Sequence, residues 1–183
     1  MQSVKLFSYA KNIDLHAVSA QEAITSFMRY DRLVRLRRFQ LAEFELDATD
    51  AQQAEGFVDS ILSRTMDILN PNKEAYRYHT LARPKTAQNV EIFLVYVSPL
   101  FSSGEQRHVD RIKQKASVPL RSLERGVVWE LHVKSVGKTK EELKEDVSRV
   151  LVMTESREKG LLCNPLFEKA VFLDTQAMYG NAN

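Results

Sequence analysis

Cysteine is nearly absent from this chain. The single thiol, Cys163, has no partner for an intrachain disulfide, so a reducing cytoplasm is the simplest compartment. Glycine is scarce, at 6 scattered residues in 183, and no Gly-rich phosphate loop or dinucleotide fingerprint can be assembled from them. No apolar run approaches the ~18 residues of a membrane span. The opening Met1-Gln2-Ser3-Val4-Lys5 lacks the cationic-then-apolar order of a signal peptide. A charge excess is missing too. Lys+Arg 26 against Asp+Glu 24 leaves +2, which excludes a strongly basic nucleic-acid binder of the histone kind. Neither nucleic acid nor membrane is an expected partner. The four histidines, His16, His79, His108 and His132, fall in no metal-ligand spacing, so neither metal nor cofactor is expected. At 44% hydrophobic and 27% charged, the remainder is ordinary for one domain or two small ones.

Periodicity gives the order of elements. Residues 4–10 read as a strand. Ser19-x-x-Glu22 has the form of a capping box, followed by an apolar helical face at Ala20, Ala23, Ile24, Phe27 and Met28. In residues 33–47, Ala42, Phe44 and Leu46 alternate with Glu43, Glu45 and Asp47, the pattern of a strand with one wet face. The alternation slips at Arg37–Gln40, which predicts a bend or bulge there. Thr49-x-x-Gln52 opens a second helix, expected to run to Asn70-Pro71. Residues 75–82 read as a third strand.

The same order then returns. Residues 91–98 are strand-like. Ser103-x-x-Gln106 opens a short helix. In residues 120–134, Trp129, Leu131 and Val133 alternate with Glu130 and His132. Thr139-x-x-Glu142 opens a long helix, and Asn164-Pro165 precedes a last strand at 168–173. An offset of 87 places Tyr9 on Tyr96, Leu33 on Leu120, Leu36 on Leu123, Arg38 on Arg125 and Glu43 on Glu130. An offset of 94 places Asn70-Pro71 on Asn164-Pro165. The reading is an α+β fold of two β-α-β-α-β repeats, with mostly antiparallel sheets, helices packed on them and pseudo-twofold symmetry. The first repeat spans 1–82, a linker 83–90, the second repeat 91–174, and a loose tail 175–183.

Chemistry-bearing residues are few. Cys163 matches Leu69 in the first repeat and reads as a packing position. Arg29, Arg32, Arg35, Arg37 and Arg38 form the densest charge cluster. It suits a blunted strand edge or a polar protein interface; the alternative is a small-ligand or RNA-binding αβ module. Tyr76 and Tyr78 share a strand with Arg77, and aromatic and arginine side chains favour interfaces. Arg35, Arg37, Tyr76, Tyr78 and Trp129 are the candidate partner-contact residues.

The first repeat resembles the PurS subunit of phosphoribosylformylglycinamidine synthase. The resemblance rests on VKLFSYAK leading into a helix, on LVRLRRFQLAEFELD, and on ILNPNKEAYRYHTL with Leu69, Asn70, Pro71, Glu74, Tyr76 and Tyr78. The second repeat is similar in LLCNPLFEKAVF, with Leu162, Asn164, Pro165 and Glu168. Together these cover nearly all of residues 4–173. The family's Gly-Lys is replaced by Leu36-Arg37-Arg38-Phe39 and by Leu123-Glu124-Arg125-Gly126. The resemblance implies a fused version of a PurS dimer, like the N-terminal domain of the large one-chain synthase. It implies a non-catalytic role in de novo purine biosynthesis: bridging glutaminase and synthetase subunits and supporting ammonia transfer. It assigns no catalytic residue and leaves self-assembly open.

Overall fold

Six strands form one antiparallel sheet in the order β3-β1-β2-β5-β4-β6 in a computed structural model that describes residues 1–101, 105–156 and 159–180. The strands are β1 (Gln2–Ala10), β2 (Leu33–Leu46), β3 (Glu74–Tyr78), β4 (Val90–Pro99), β5 (Leu120–Lys134) and β6 (Glu168–Leu173). Helices α1 (Leu15–Glu22), α2 (Ala51–Arg64), α3 (Glu105–Ala116) and α4 (Lys140–Val147) lie on one face, and a short α5 (Thr175–Tyr179) closes the chain. The fold class is α+β. No helix among the described residues is long and apolar enough to cross a membrane.

The two repeats extend a single sheet, joined where β2 runs antiparallel to β5. Their register carries the symmetry. Gln40 pairs with Val127, its own counterpart at an offset of 87, so the pseudo-twofold axis passes through that pair. Leu36 pairs with Leu131 and Phe44 with Leu123, which the same axis exchanges. Register shifts bracket Val34 in β2 and Arg121 in β5, again 87 apart. The first strands require a correction. Pairing of β1 with β2 and of β4 with β5 sets their offset at 89, so Tyr96 corresponds to Phe7 and not to Tyr9.

The Asn-Pro turns are built twice with the same bonds. The Asn70 amide donates to Glu74 Oε2 at 2.8 Å, and the Asn164 amide to Glu168 Oε2 at 2.9 Å. The Asn70 and Asn164 side-chain oxygens each accept the amide two residues on at 3.1 Å. Such Asx turns end one element and aim the next strand. Lys11 N to Lys73 O at 2.9 Å is matched by Leu100 N to Phe167 O at 2.8 Å.

Each core is shared between the repeats. Ile24 behind α1 packs with Leu143 and Val147 of α4 over Leu36, Leu131 and Val133. Ala54, Val58 and Ile61 of α2 pack with Val109, Ile112 and Ala116 of α3 over Phe44, Leu46 and Leu123. A third cluster lies on the reverse face. It contains Phe7, Phe39, Leu41, Leu94 and Val128, covered by Leu81, which follows β3 at the end of the first repeat, and by Tyr179 from α5. Leu81 N donates to Met178 O at 2.8 Å, which ties these two covers together.

This third cluster explains the slip at Arg37–Gln40. No register shift occurs there. At its ends β2 buries the face under the helices. At its middle it buries the reverse face through Phe39 and Leu41, while Gln40 is exposed on the other side. The apolar residues therefore change parity without a bulge. The same cover buries Glu130 and His132, the polar residues of the β5 alternation. The segment from Thr175, expected to be loose, is helical through Tyr179 and capped by Asp174, whose carboxylate accepts from Gln176 N.

Several helix boundaries differ from the sequence reading. The cap of α1 is Asp14, which accepts from His16 N and Ala17 N, and Ser19 lies inside the helix. A π-helical turn over Ala23–Phe27 follows, with Met28 N bonded to Ala23 O. Its extra residue rotates Phe27 off the apolar stripe, leaving it 84% exposed. The second capping residue is Asp50, one position after Thr49. Helix α2 stops at Arg64, because Thr65 is extended (φ −137, ψ 150). The Thr139–Glu142 box is present. The Ser103 box lies outside the described residues. A π-helical turn over Ser148–Val152 also ends α4. Strand β3 ends at Tyr78, where His79 takes a left-handed φ of 60°.

Candidate functional site

A buried, densely bonded polar group sits on the reverse face, across the β2–β5 seam. Arg37 and Glu130 face each other in register. The Glu130 side chain is fully buried, and its Oε1 lies 3.2 Å from the Arg37 guanidinium and 2.8 Å from His132 Nε2. The Tyr179 hydroxyl donates to Oε2 at 2.7 Å. Arg37 also stands over the Phe39 ring, 4.8 Å from its centroid. Burial pushes the Glu130 carboxyl up, but the bonds from His132 and Tyr179 and the Arg37 charge outweigh it. The carboxyl is held below its usual range. Burial and then the Glu130 charge push the Tyr179 phenol up. Both oxygens are engaged, and the bond from Tyr179 ties α5 to the sheet through Glu130.

The pseudo-twofold gives this cluster no twin. The counterparts of Arg37 and Glu130 are Glu124 and Glu43, two carboxylates opposite one another. There Glu43 takes the Ser3 hydroxyl at 3.0 Å and a loose ion pair with Lys5 at 3.9 Å. Like charges in register are unfavourable unless solvated or countered.

The five candidate contact residues do not form one surface. Arg35 and Arg37 lie on the reverse face, where Arg35 is exposed and Arg37 is half-buried in the cluster above. Tyr76 and Tyr78 lie beside α2. Their hydroxyls reach Asp59 Oδ1 at 3.5 and 2.7 Å, and their rings meet edge to face. Burial, with Asp59 beside it, pushes the Tyr78 phenol up. Trp129 is half-buried against the α1–α4 core. The arginine cluster is divided likewise. Arg32 donates to the Lys134 and Val136 carbonyls at 3.3 and 2.9 Å, Arg37 faces the reverse side, and Arg38 lines a cleft on the helix-bearing face beside Asp14.

Cys163 is buried and its thiol is pushed up by burial, then by Glu168, as befits a packing residue; its counterpart Leu69 is buried as well. Among the described residues, no group of three or more His, Cys, Asp or Glu is placed to hold a metal ion. Residue-type reasoning missed Glu130, His132 and Tyr179 as a unit. Their only local signal was two polar residues in the otherwise apolar run 127–133 of β5, and the cover arrives 49 positions later.

No family model, curated protein or solved structure matches the chain.

Proposed function

We propose that this chain is a non-catalytic accessory subunit of phosphoribosylformylglycinamidine synthase that holds a glutaminase and a synthetase subunit together and supports ammonia transfer between them. One observation carries the reading. An Asn-Pro-x-x-Glu turn feeding an edge strand occurs twice, with the same bonds, in two units fused about a pseudo-twofold axis. The PurS unit that the sequence resembles pairs with itself, and this chain has both halves in one polypeptide.

The two ends of the chain have diverged in a way that suits a bridge between unlike partners. At the second repeat Leu100, Phe101, Leu166 and Phe167 are exposed, the last three at 71%, 73% and 63%. The corresponding positions of the first repeat are Lys11, Asn12, Asn72 and Lys73. Exposed apolar clusters of this kind mark contact surfaces.

The test is amidine formation by the cognate glutaminase and synthetase, with and without this chain, using glutamine or ammonium as nitrogen source. The reading expects glutamine-dependent turnover to require the chain and ammonium-dependent turnover to proceed without it. Equal glutamine-dependent rates in its presence and absence overturn the reading.

A further inference from the structure

A cleft of about 610 Å³ opens on the helix-bearing face, between the end of β1, the start of α1, the middle of β2 and the Asn-Pro turn before β3. Its size is that of a metabolite site. Ser8, Arg38 and Gln40 line it from the sheet, in the trough between the two helix pairs.

Arg38 distinguishes this cleft. Its side chain is only 20% exposed, and its nearest acid, Asp14 Oδ2, is 3.7 Å away, beyond hydrogen-bonding distance. Among the described residues its guanidinium has no hydrogen-bond acceptor. None of its nitrogens is sealed from water without a partner, so its five N–H donors open onto the cleft and are available to a ligand. The related arginines differ. Arg37 bonds Glu130, Arg32 bonds two carbonyls, and Arg125, the counterpart of Arg38, donates to the Asp67 carbonyl at 3.4 Å. Arg29 and Arg35 are turned to solvent. Lys73 adds a second cation to the cleft wall, and His16, Asn12 and Asn72 add donors and acceptors around the mouth.

We propose that this cleft binds a small phosphorylated metabolite of nucleotide size, with Arg38 as the principal phosphate contact and Lys73 as the second. A planar guanidinium offers paired N–H groups to phosphate oxygens, and such charge-assisted bonds are the strong ones. Two carboxylates line the cleft as well: Glu74, whose Oε2 accepts from Asn70 N at 2.8 Å, and Asp14, the anion that competes for Arg38. Asp14 Oδ1 accepts from His16 N at 3.0 Å and Ala17 N at 3.3 Å, while Oδ2 faces Arg38. A bound phosphate takes over the guanidinium from that loose pair. The inference does not rest on the accessory-subunit reading, and either stands if the other fails.

The test is calorimetric titration of the full chain with AMP, with inorganic phosphate and adenosine as controls. AMP is expected to bind more tightly than either control. Arg38→Gln is expected to weaken AMP by about tenfold or more, from the loss of a charge-assisted bidentate contact. Asp14→Asn is expected to act in the opposite direction. Asn caps a helix as well as Asp does, so α1 keeps its start while the competing charge is removed and AMP binds several-fold more tightly, on the order of threefold. Circular dichroism verifies that both variants are folded. No heat from 5 mM AMP overturns the proposal. So does AMP binding that Arg38→Gln leaves unchanged, and so does inorganic phosphate binding as tightly as AMP.

Discussion

Replacing Tyr179 by Phe removes one oxygen from a buried site. The ring still packs against Leu81 and Leu94, so apolar contact is retained. What is lost is a 2.7 Å O–H···O bond to a carboxylate that is itself fully buried. Hydrogen bonds to charged groups contribute about 1.5–3 kcal/mol, and Glu130 keeps Arg37 and His132, so about 2 kcal/mol is expected. For a chain of this length that corresponds to a fall in Tm of roughly 4–8 °C. A second readout separates this from a packing defect. The Glu130 carboxyl is held below its usual range in the fold, so its stabilisation is present above that range and lost as pH falls through the folded value. Removing the Tyr179 donor raises the folded value, and acid unfolding of Tyr179→Phe should begin at higher pH than in the parent. The assay is a thermal melt by circular dichroism from pH 3 to 7. A Tm within 1 °C of the parent at pH 7 and an unchanged acid limb would refute the argument and would mean that α5 is not anchored through Glu130.

Three further outcomes are expected. Glu74→Ala and Glu168→Ala each remove the acceptor of one Asn-Pro turn and should cost about 1 kcal/mol apiece in urea denaturation; a gap larger than that between them would show that the turns are not equivalent. In Gly126→Ala a new Cβ meets the Tyr96 ring and the Val97 carbonyl, so a loss of about 1–3 kcal/mol is expected; adding Tyr96→Ala should recover part of it, and strict additivity would count against a clash. Tyr30, Tyr78 and Tyr179 are held above the usual phenol range by burial and by neighbouring carboxylates. The unfolded chain releases those protons near pH 10, so stability is full below that pH and falls as pH rises above it. Ultraviolet titration should show these three ionising only as the fold is lost; free ionisation of all six tyrosines in the folded chain would contradict the burial.

Much of the fold was legible because its determinants are local. Capping at Thr139 and the turns at Asn70-Pro71 and Asn164-Pro165 depend on side chains within a few positions of the backbone groups they satisfy. Alternation at Ala42, Phe44 and Leu46 reported a strand because one face there meets α2 throughout. The errors arose where a distant segment decided the outcome. Arg37–Gln40 looked like a bend because the buried face changes sides beneath Leu81 and Tyr179, which no window around residue 40 contains. Phe27 was placed in the core because a π-helical turn cannot be told from an α-helical one by spacing.

The candidate site divides along the same line. The arginine run was visible as composition, but neighbouring residues of a strand point to opposite faces. That geometry sends Arg37 to Glu130 and leaves Arg38 in the cleft with Asp14. By itself the sequence determined that the chain is two β-α-β-α-β units with matched turns, since periodicity and turn chemistry are short-range. Only the tertiary structure decided that the units share one sheet, that each helix pair mixes both repeats, and that the reverse face is sealed by the residues after β3 and by α5. Those outcomes depend on which apolar surfaces of distant segments find each other. Hydrophobic burial is non-directional and leaves no mark of partner choice in any one segment.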